Sequence, residues 1–127
     1  DEGWETVFTG FLEVSNVNEK DAVFVLSVGG GNKEKNVSVN LVTGMEYAKS
    51  RGARVLGITG RDGGYCAKVA DAIVIIPTLS PDTITPHAEA WQGVIWHMIV
   101  SDPRIQKMSN KWESMSPGTK ATSATLS

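Results

Sequence analysis

Two residues suited to proton transfer, Glu89 and His97, lie in the last segment of the chain with helical character. At about 100° per residue in a helix, both fall on one broad face with Gln92 and Trp96. A carboxylate near an imidazole can transfer protons or bind a metal ion. A histidine among tryptophans is also commonly a hydrogen-bonded structural residue. The residue types alone therefore leave a functional and a structural interpretation open.

Three consecutive glycines, Gly29, Gly30 and Gly31, closely follow an apolar run at residues 22–26. Glycine allows sharp turns and lets backbone amides approach a ligand, especially an anion. The pattern predicts an anion-binding loop, and a flexible turn between a strand and a helix is the alternative. A second glycine-rich segment at residues 60–64 repeats the pattern and favours a binding site.

The glycines do not complete a nucleotide-binding motif. A dinucleotide site needs G-x-G-x-x-G, but Glu34 occupies the position of the last glycine, and no acidic residue ends a strand about 20 residues later. The chain also lacks a Walker phosphate loop and a G-x-S-x-G nucleophile elbow. We therefore expect no nucleotide cofactor.

Apolar patterning predicts the elements that position these residues. Runs rich in β-branched residues predict strands, the first of them buried on both faces, at residues 22–26, 54–59 and 71–76. Apolar residues at helical spacing predict helices at residues 4–15, about 41–51, 65–70 and about 86–100. Thr85 is expected to cap the last helix and Asp102-Pro103 to end it, while residues 32–36 form an extended loop.

Strands that alternate with helices predict an α/β fold with a three-layer, doubly wound, mainly parallel sheet of the Rossmann-like or flavodoxin-like type. In such a sheet the loops that leave the carboxyl ends of the strands gather at one edge, where ligands bind. These loops are residues 27–36, 59–64 and 77–85.

Composition narrows the class of protein. The 127 residues suit one domain, expected at residues 1–113, followed by a flexible tail at residues 114–127 rich in Ser, Thr and Ala. The formal charge of -2 and the lack of an apolar run of about 20 residues disfavour nucleic-acid and membrane partners. The acidic N-terminus is unlike a signal peptide, so we expect a cytoplasmic protein. The single Cys66 excludes an internal disulfide and is expected to be a buried, inert thiol.

Four segments in order resemble the sugar isomerase (SIS) domain, with the phosphoheptose isomerases as the most similar branch. They are residues 22–31, the run Val55-Leu56-Gly57-Ile58-Thr59-Gly60-Arg61-Asp62-Gly63-Gly64, residues 70–77, and the late helix that bears His97. The resemblance covers about residues 4–100. It implies that the N-terminal part of the domain has no counterpart before Asp1, so this chain alone is expected to be inactive.

The resemblance implies a phosphate site after the first strand. Family members hold phosphate with a serine-rich loop, and Ser27 matches its first serine. The other serines are replaced here, so phosphate is expected to rely on the glycine amides, Lys33 or Ser38. Asp62 lies in the best-matching loop and is also expected to bind substrate.

The resemblance further implies an aldose-ketose isomerase that acts on a sugar phosphate such as sedoheptulose 7-phosphate. A late-helix histidine transfers protons in the family and in some members binds zinc with a glutamine two turns earlier. His97 matches that histidine, and Glu89, a competent zinc ligand, replaces the glutamine. A homotetramer or another homo-oligomer is also implied. The alternative is a non-catalytic module that binds sugar phosphates in a regulatory or assembly role.

Overall fold

The predicted alternation of strands and helices is confirmed by the computed structural model, which describes residues 3–108. The helices are α1 (Val7–Val14), preceded by a 3-10 turn at Trp4–Thr6, then α2 (Val39–Ser50), α3 (Gly64–Val69) and α4 (Ile84–Ser101). The strands are β1 (Ala22–Ser27), β2 (Arg54–Thr59) and β3 (Ala72–Ile75). Strand β2 has the bounds that its β-branched run predicts.

The three strands form one parallel sheet in the order β1-β2-β3. In its register Val25 lies opposite Gly57, which lies opposite Ile73. Because the strands are parallel, their carboxyl ends share one edge, and a helix connects each strand to the next. The α/β class is therefore confirmed.

The core lies between the sheet and helices α1 to α3. Helix α2 packs against α1 and both neighbouring strands, and α3 contacts α2 and β2. The buried side chains of this cluster are Val17, Val25, Met45, Ala48, Ala53, Val55 and Cys66. Gly57 allows the close packing, because a Cβ there would lie 2.6 Å from the Sγ of Cys66. Burial raises the pKa of the Cys66 thiol, and the predicted buried cysteine is confirmed.

The expectation that the first strand is buried on both faces is wrong. Phe24 and Leu26 are 42% and 47% exposed, and Val74 of β3 is 41% exposed. Both strands are edges of a three-stranded sheet, so each has a strand neighbour on one side only. The apolar run correctly predicted the strand but not how much of it other elements bury.

Residues 32–36 do not form an extended loop. Asn32 and Val37 pair as an antiparallel bridge, with backbone N–H to O distances of 2.8 and 2.9 Å in the two directions. Asn36 turns the chain at a φ of 52°. The segment is therefore a tight hairpin turn.

Thr85 does not cap α4. The helix begins at Ile84, directly after a 3-10 turn at Pro81–Thr83. That turn has its own side-chain cap, because the Ser80 hydroxyl accepts a hydrogen bond from the Asp82 amide at 3.3 Å. The helix ends at Ser101, immediately before Asp102-Pro103, as predicted.

Asp71 joins α2 to the start of β2. Its carboxylate accepts the Val55 amide at 2.8 Å and lies 3.2 Å from both Lys49 Nζ and an Arg54 guanidinium nitrogen. The Val55 amide, with Lys49 and Arg54, lowers the pKa of Asp71 to about 2. The carboxylate is therefore ionised at neutral pH.

The chain divides into two compact units, Asp1–Ile95 and Trp96–Ser127. Helix α4 carries Glu89 in the first unit and His97 in the second. The tail predicted at residues 114–127 lies outside the described residues. Across residues 3–108, no helix combines the length and the hydrophobicity needed to span a membrane.

Candidate functional site

The loops that follow β1 and β2 run side by side at the carboxyl edge of the sheet. The Gly60 amide donates to the Val28 carbonyl at 3.0 Å, which continues the pairing of the two strands beyond their ends. The predicted glycine segments, residues 29–31 and 60–64, are thereby brought together.

Helix α3 rests directly on the first glycine loop. The amides of Tyr65 and Cys66 donate to the carbonyls of Gly31 and Gly30 at 2.8 and 3.0 Å. These bonds occupy the first amides of α3 and fix the shape of the glycine loop. An anion must therefore be bound by other donors.

An open cavity of about 770 Å³ lies over these loops. It is lined by Ser27, Val28, Gly29, Gly31, Asn32, Lys35, Val37, Ser38, Arg61, Asp62, Gly64 and Thr85. Every lining residue up to Gly64 comes from the last residue of β1, the connection from β1 to α2, or the connection from β2 to the first residue of α3, as expected at the carboxyl edge of a parallel sheet.

Backbone amides are the first donors of this cavity. Within residues 3–108, the amides of Gly29 and Gly31 have no acceptor. The Gly30 amide between them donates to the Ser27 hydroxyl at 3.0 Å, which leaves the hydroxyl proton of Ser27 available. The arrangement can bind an oxyanion through two amides and one hydroxyl.

The start of α2 contributes further donors. Ser38, which lines the cavity, precedes the helix in a left-handed conformation and does not cap it with its side chain. In the described part of the chain no acceptor is found for the amides of Val39 and Asn40. The unpaired amides at the start of a 12-residue helix favour a bound anion.

The charged residues that line the cavity carry a net positive charge. Lys35 and Arg61 line it with one carboxylate, Asp62. One Asp62 oxygen already accepts the Gly64 amide at 3.0 Å, which supports the turn. The two cations were not among the residues singled out from the sequence, because nothing in a polar loop shows which side chains turn toward a cavity.

Lys33 has a different environment from the one expected for a phosphate ligand. Its ammonium forms an ion pair with Glu46, at 2.7 and 2.8 Å from the two carboxylate oxygens. It lines an adjoining cavity of about 400 Å³ with Tyr65 and Lys68. Burial, followed by the Glu46 carboxylate, raises the pKa of Tyr65 there.

The structure thus brings together most of the predicted binding residues. Those that line the larger cavity are Ser27, Gly29, Gly31, Ser38 and Asp62. Gly30 is buried beneath the cavity, against Gly63, and Lys33 is paired with Glu46. Their roles toward a substrate remain predictions.

The two residues of the predicted catalytic pair, Glu89 and His97, belong to different compact units. Glu89 is exposed on α4, and Gln92, one turn later, is buried and donates to the Ile58 carbonyl at 3.0 Å. The exposed His97 ring stacks on Trp96, with centroids 3.8 Å apart. Gln92 is therefore a structural anchor of the first unit.

Zinc needs at least three protein ligands in its usual protein sites. Within residues 3–108, no three His, Cys, Asp or Glu side chains form such a group. These residues do not supply a complete zinc site by themselves, and zinc binding by Glu89 and His97 remains a prediction.

Comparison with known proteins identifies similar sequences. No family model matches the chain. The chain is 32% identical over 99 residues to the lincomycin biosynthesis protein LmbN of Streptomyces lincolnensis. The matched region covers 78% of the chain and 36% of that protein. It is also 30% identical over 101 residues to a phosphoheptose isomerase of Nitratiruptor. That match covers 80% of the chain and 48% of the isomerase.

A phosphoheptose isomerase of Histophilus somni is 35% identical over 78 residues, 61% of the chain and 36% of that protein. The chain thus spans about half or less of the length of the curated relatives it matches. The parallel sheet, its paired glycine loops and these similarities are consistent with a partial SIS domain of the phosphoheptose isomerase type.

Proposed function

We propose that the full-length protein isomerises a phosphorylated sugar, such as sedoheptulose 7-phosphate, between its aldose and ketose forms. The observation that carries the proposal is the cavity at the ends of β1 and β2. Its free Gly29 and Gly31 amides and its net positive charge suit the phosphate group of such a sugar.

The chemistry requires a proton to leave one carbon and to reach its neighbour. Removal of the C2 proton of the open-chain aldose gives an enediol, and protonation at C1 gives the ketose. We propose His97 as the group that moves this proton and Glu89 as its acidic partner. An imidazole suits both directions because its ordinary pKa lies near neutrality.

The proposal is tested in the full-length protein with His97→Ala, in an isomerase assay with sedoheptulose 7-phosphate and in a substrate-exchange assay in heavy water. We expect turnover and deuterium incorporation to fall by about 10²–10⁴-fold, the usual contribution of general acid-base catalysis. His87→Gln, on the same helix, is the matched control and should retain activity. An active His97→Ala protein would overturn the assignment.

The second candidate is a sugar-phosphate-binding module without catalysis. Its support is that the residues lining the cavity include no histidine or glutamate. This candidate predicts saturable binding of sedoheptulose 7-phosphate with no deuterium exchange in the full-length protein. The same two measurements on the wild-type protein separate the candidates.

A further inference from the structure

Arg61 combines an uncommon backbone conformation with a position in the cavity that the free amides line. Its φ is 51°, in the left-handed region that disfavours residues with a side chain. Both neighbouring segments of its loop are glycine-rich, yet this position carries the longest cationic side chain. A position that glycine would occupy without strain therefore presents a guanidinium.

The side chain of Arg61 extends along the first glycine loop. A Cβ built on Gly29 would lie 3.8 Å from the Cδ of Arg61, which is van der Waals contact. The aliphatic stem thus lies next to Gly29, whose amide has no acceptor among the described residues. The guanidinium, which follows Cδ directly, belongs to the same part of the cavity.

No carboxylate neutralises this guanidinium within residues 3–108. The ion pairs there join Lys33 to Glu46, Lys49 and Arg54 to Asp71, and Arg104 to Asp102. Arg61 takes part in none of them, and it is exposed to the cavity. A cation without a partner in a cavity with free amides is available for an anionic ligand.

We infer that Arg61 determines specificity for a phosphorylated sugar over the free sugar, with Lys35 as a second point charge. The inference rests on the proposed function and adds the residue that recognises the charge. Ser27 provides the only serine hydroxyl of the β1 loop before the hairpin turn, so charge-assisted bonds from Arg61 take the place of further hydroxyl donors. The planar guanidinium can bind two phosphate oxygens at once, which a lysine cannot do.

The test is calorimetric titration of the 127-residue chain with sedoheptulose 7-phosphate and with free sedoheptulose. Arg61→Asn is the central variant, because asparagine tolerates the left-handed conformation and removes the charge. Arg61→Lys retains the charge without the planar fork. Arg51→Asn is the matched control, since Arg51 is exposed at the other end of α2, about 20 Å along the helix from Ser38.

We expect Arg61→Asn to weaken binding of the phosphorylated sugar by about 10–100-fold, the loss of one or two charge-assisted hydrogen bonds. Arg61→Lys should lose about half of that free energy, and Arg51→Asn should stay within about twofold of wild type. The preference for the phosphorylated over the free sugar should shrink by the same factor. If Arg61→Asn does not fold, as judged by circular dichroism, the result for Arg61→Lys decides.

The two proposals fail in distinguishable ways. If the wild-type chain binds the phosphorylated sugar and Arg61→Asn and Arg61→Lys bind it equally well, the inference about Arg61 is overturned and the proposed function stands. If the wild-type chain shows no preference for the phosphorylated sugar, both are overturned.

Discussion

Gly30 and Gly63 pack backbone against backbone, so that a Cβ built on Gly30 would overlap the carbonyl oxygen of Gly63. Gly30 also has a φ of 71°, which disfavours any residue with a side chain. This contact holds the loops after β1 and β2 together beneath the cavity. The position of the free amides therefore depends on the absence of a side chain at Gly30.

Gly30→Ala should destabilise the chain by about 2–5 kcal/mol, because overpacking and the left-handed conformation both cost free energy. Gly29→Ala is the matched control, since the nearest atom to its new methyl group is a flexible Arg61 carbon at 3.8 Å. Urea unfolding followed by circular dichroism measures both. Equal stabilities of the two variants would contradict the packing described.

Asp71 should make stability depend on pH in the acid range. Its folded pKa of about 2 is below the ordinary value near 3.8. The stabilisation is therefore complete above about pH 4 and is lost as the pH falls toward 2. In thermal melts between pH 7 and pH 2.5, Asp71→Asn should be less stable than wild type at pH 7, and the difference should narrow below pH 4. A difference that stays constant across this range would argue against the ion-pair arrangement.

Gln92 should act as a structural anchor of α4. Its side-chain amide is buried and donates to the Ile58 carbonyl, so Gln92→Ala should cost about 1–3 kcal/mol of unfolding free energy. Glu89→Ala, on the exposed side of the same helix, should change stability by no more than about 0.5 kcal/mol. Urea denaturation compares the two, and a larger effect from Glu89→Ala would reverse the assignment of buried and exposed faces.

Cys66 should report unfolding. The thiol is fully buried, and burial raises its pKa, so little reactive thiolate forms at neutral pH. A disulfide reagent such as DTNB should modify the native chain at least about 10³-fold more slowly than the chain in guanidinium, because reaction requires opening. Gly57→Ala, which crowds the sulfur, should raise the rate. Rapid modification of the native chain would show that the thiol is accessible.

The strands and helices were predictable because their signals are local. The apolar run at β2 and the Asp102-Pro103 stop of α4 define their elements almost to the residue. Burial could not be predicted from local sequence in the same way. Phe24 and Val74 are apolar residues typical of a core, but they lie on edge strands and are partly exposed. The sequence of a strand does not indicate which other element packs against its faces.

The backbone features of the candidate site were predictable from the sequence, whereas its charged side chains were not all identified. The glycines and Ser27 were identified because a turn after a parallel strand constrains residue type. Lys33 and Lys35 are indistinguishable in sequence, and the hairpin bridge between Asn32 and Val37 decides their environments. Arg61 carried one signal, a large residue within a glycine-rich segment, but only the structure shows what it lies next to.

The most direct test of the central claim is a titration of the ¹⁵N-labelled chain with sedoheptulose 7-phosphate, followed by amide resonances. The account predicts saturable shifts at the amides of Gly29, Gly31 and Val39, with much smaller shifts for free sedoheptulose. Shifts that are absent at these three amides, or that occur only at residues remote from the ends of β1 and β2, would contradict it.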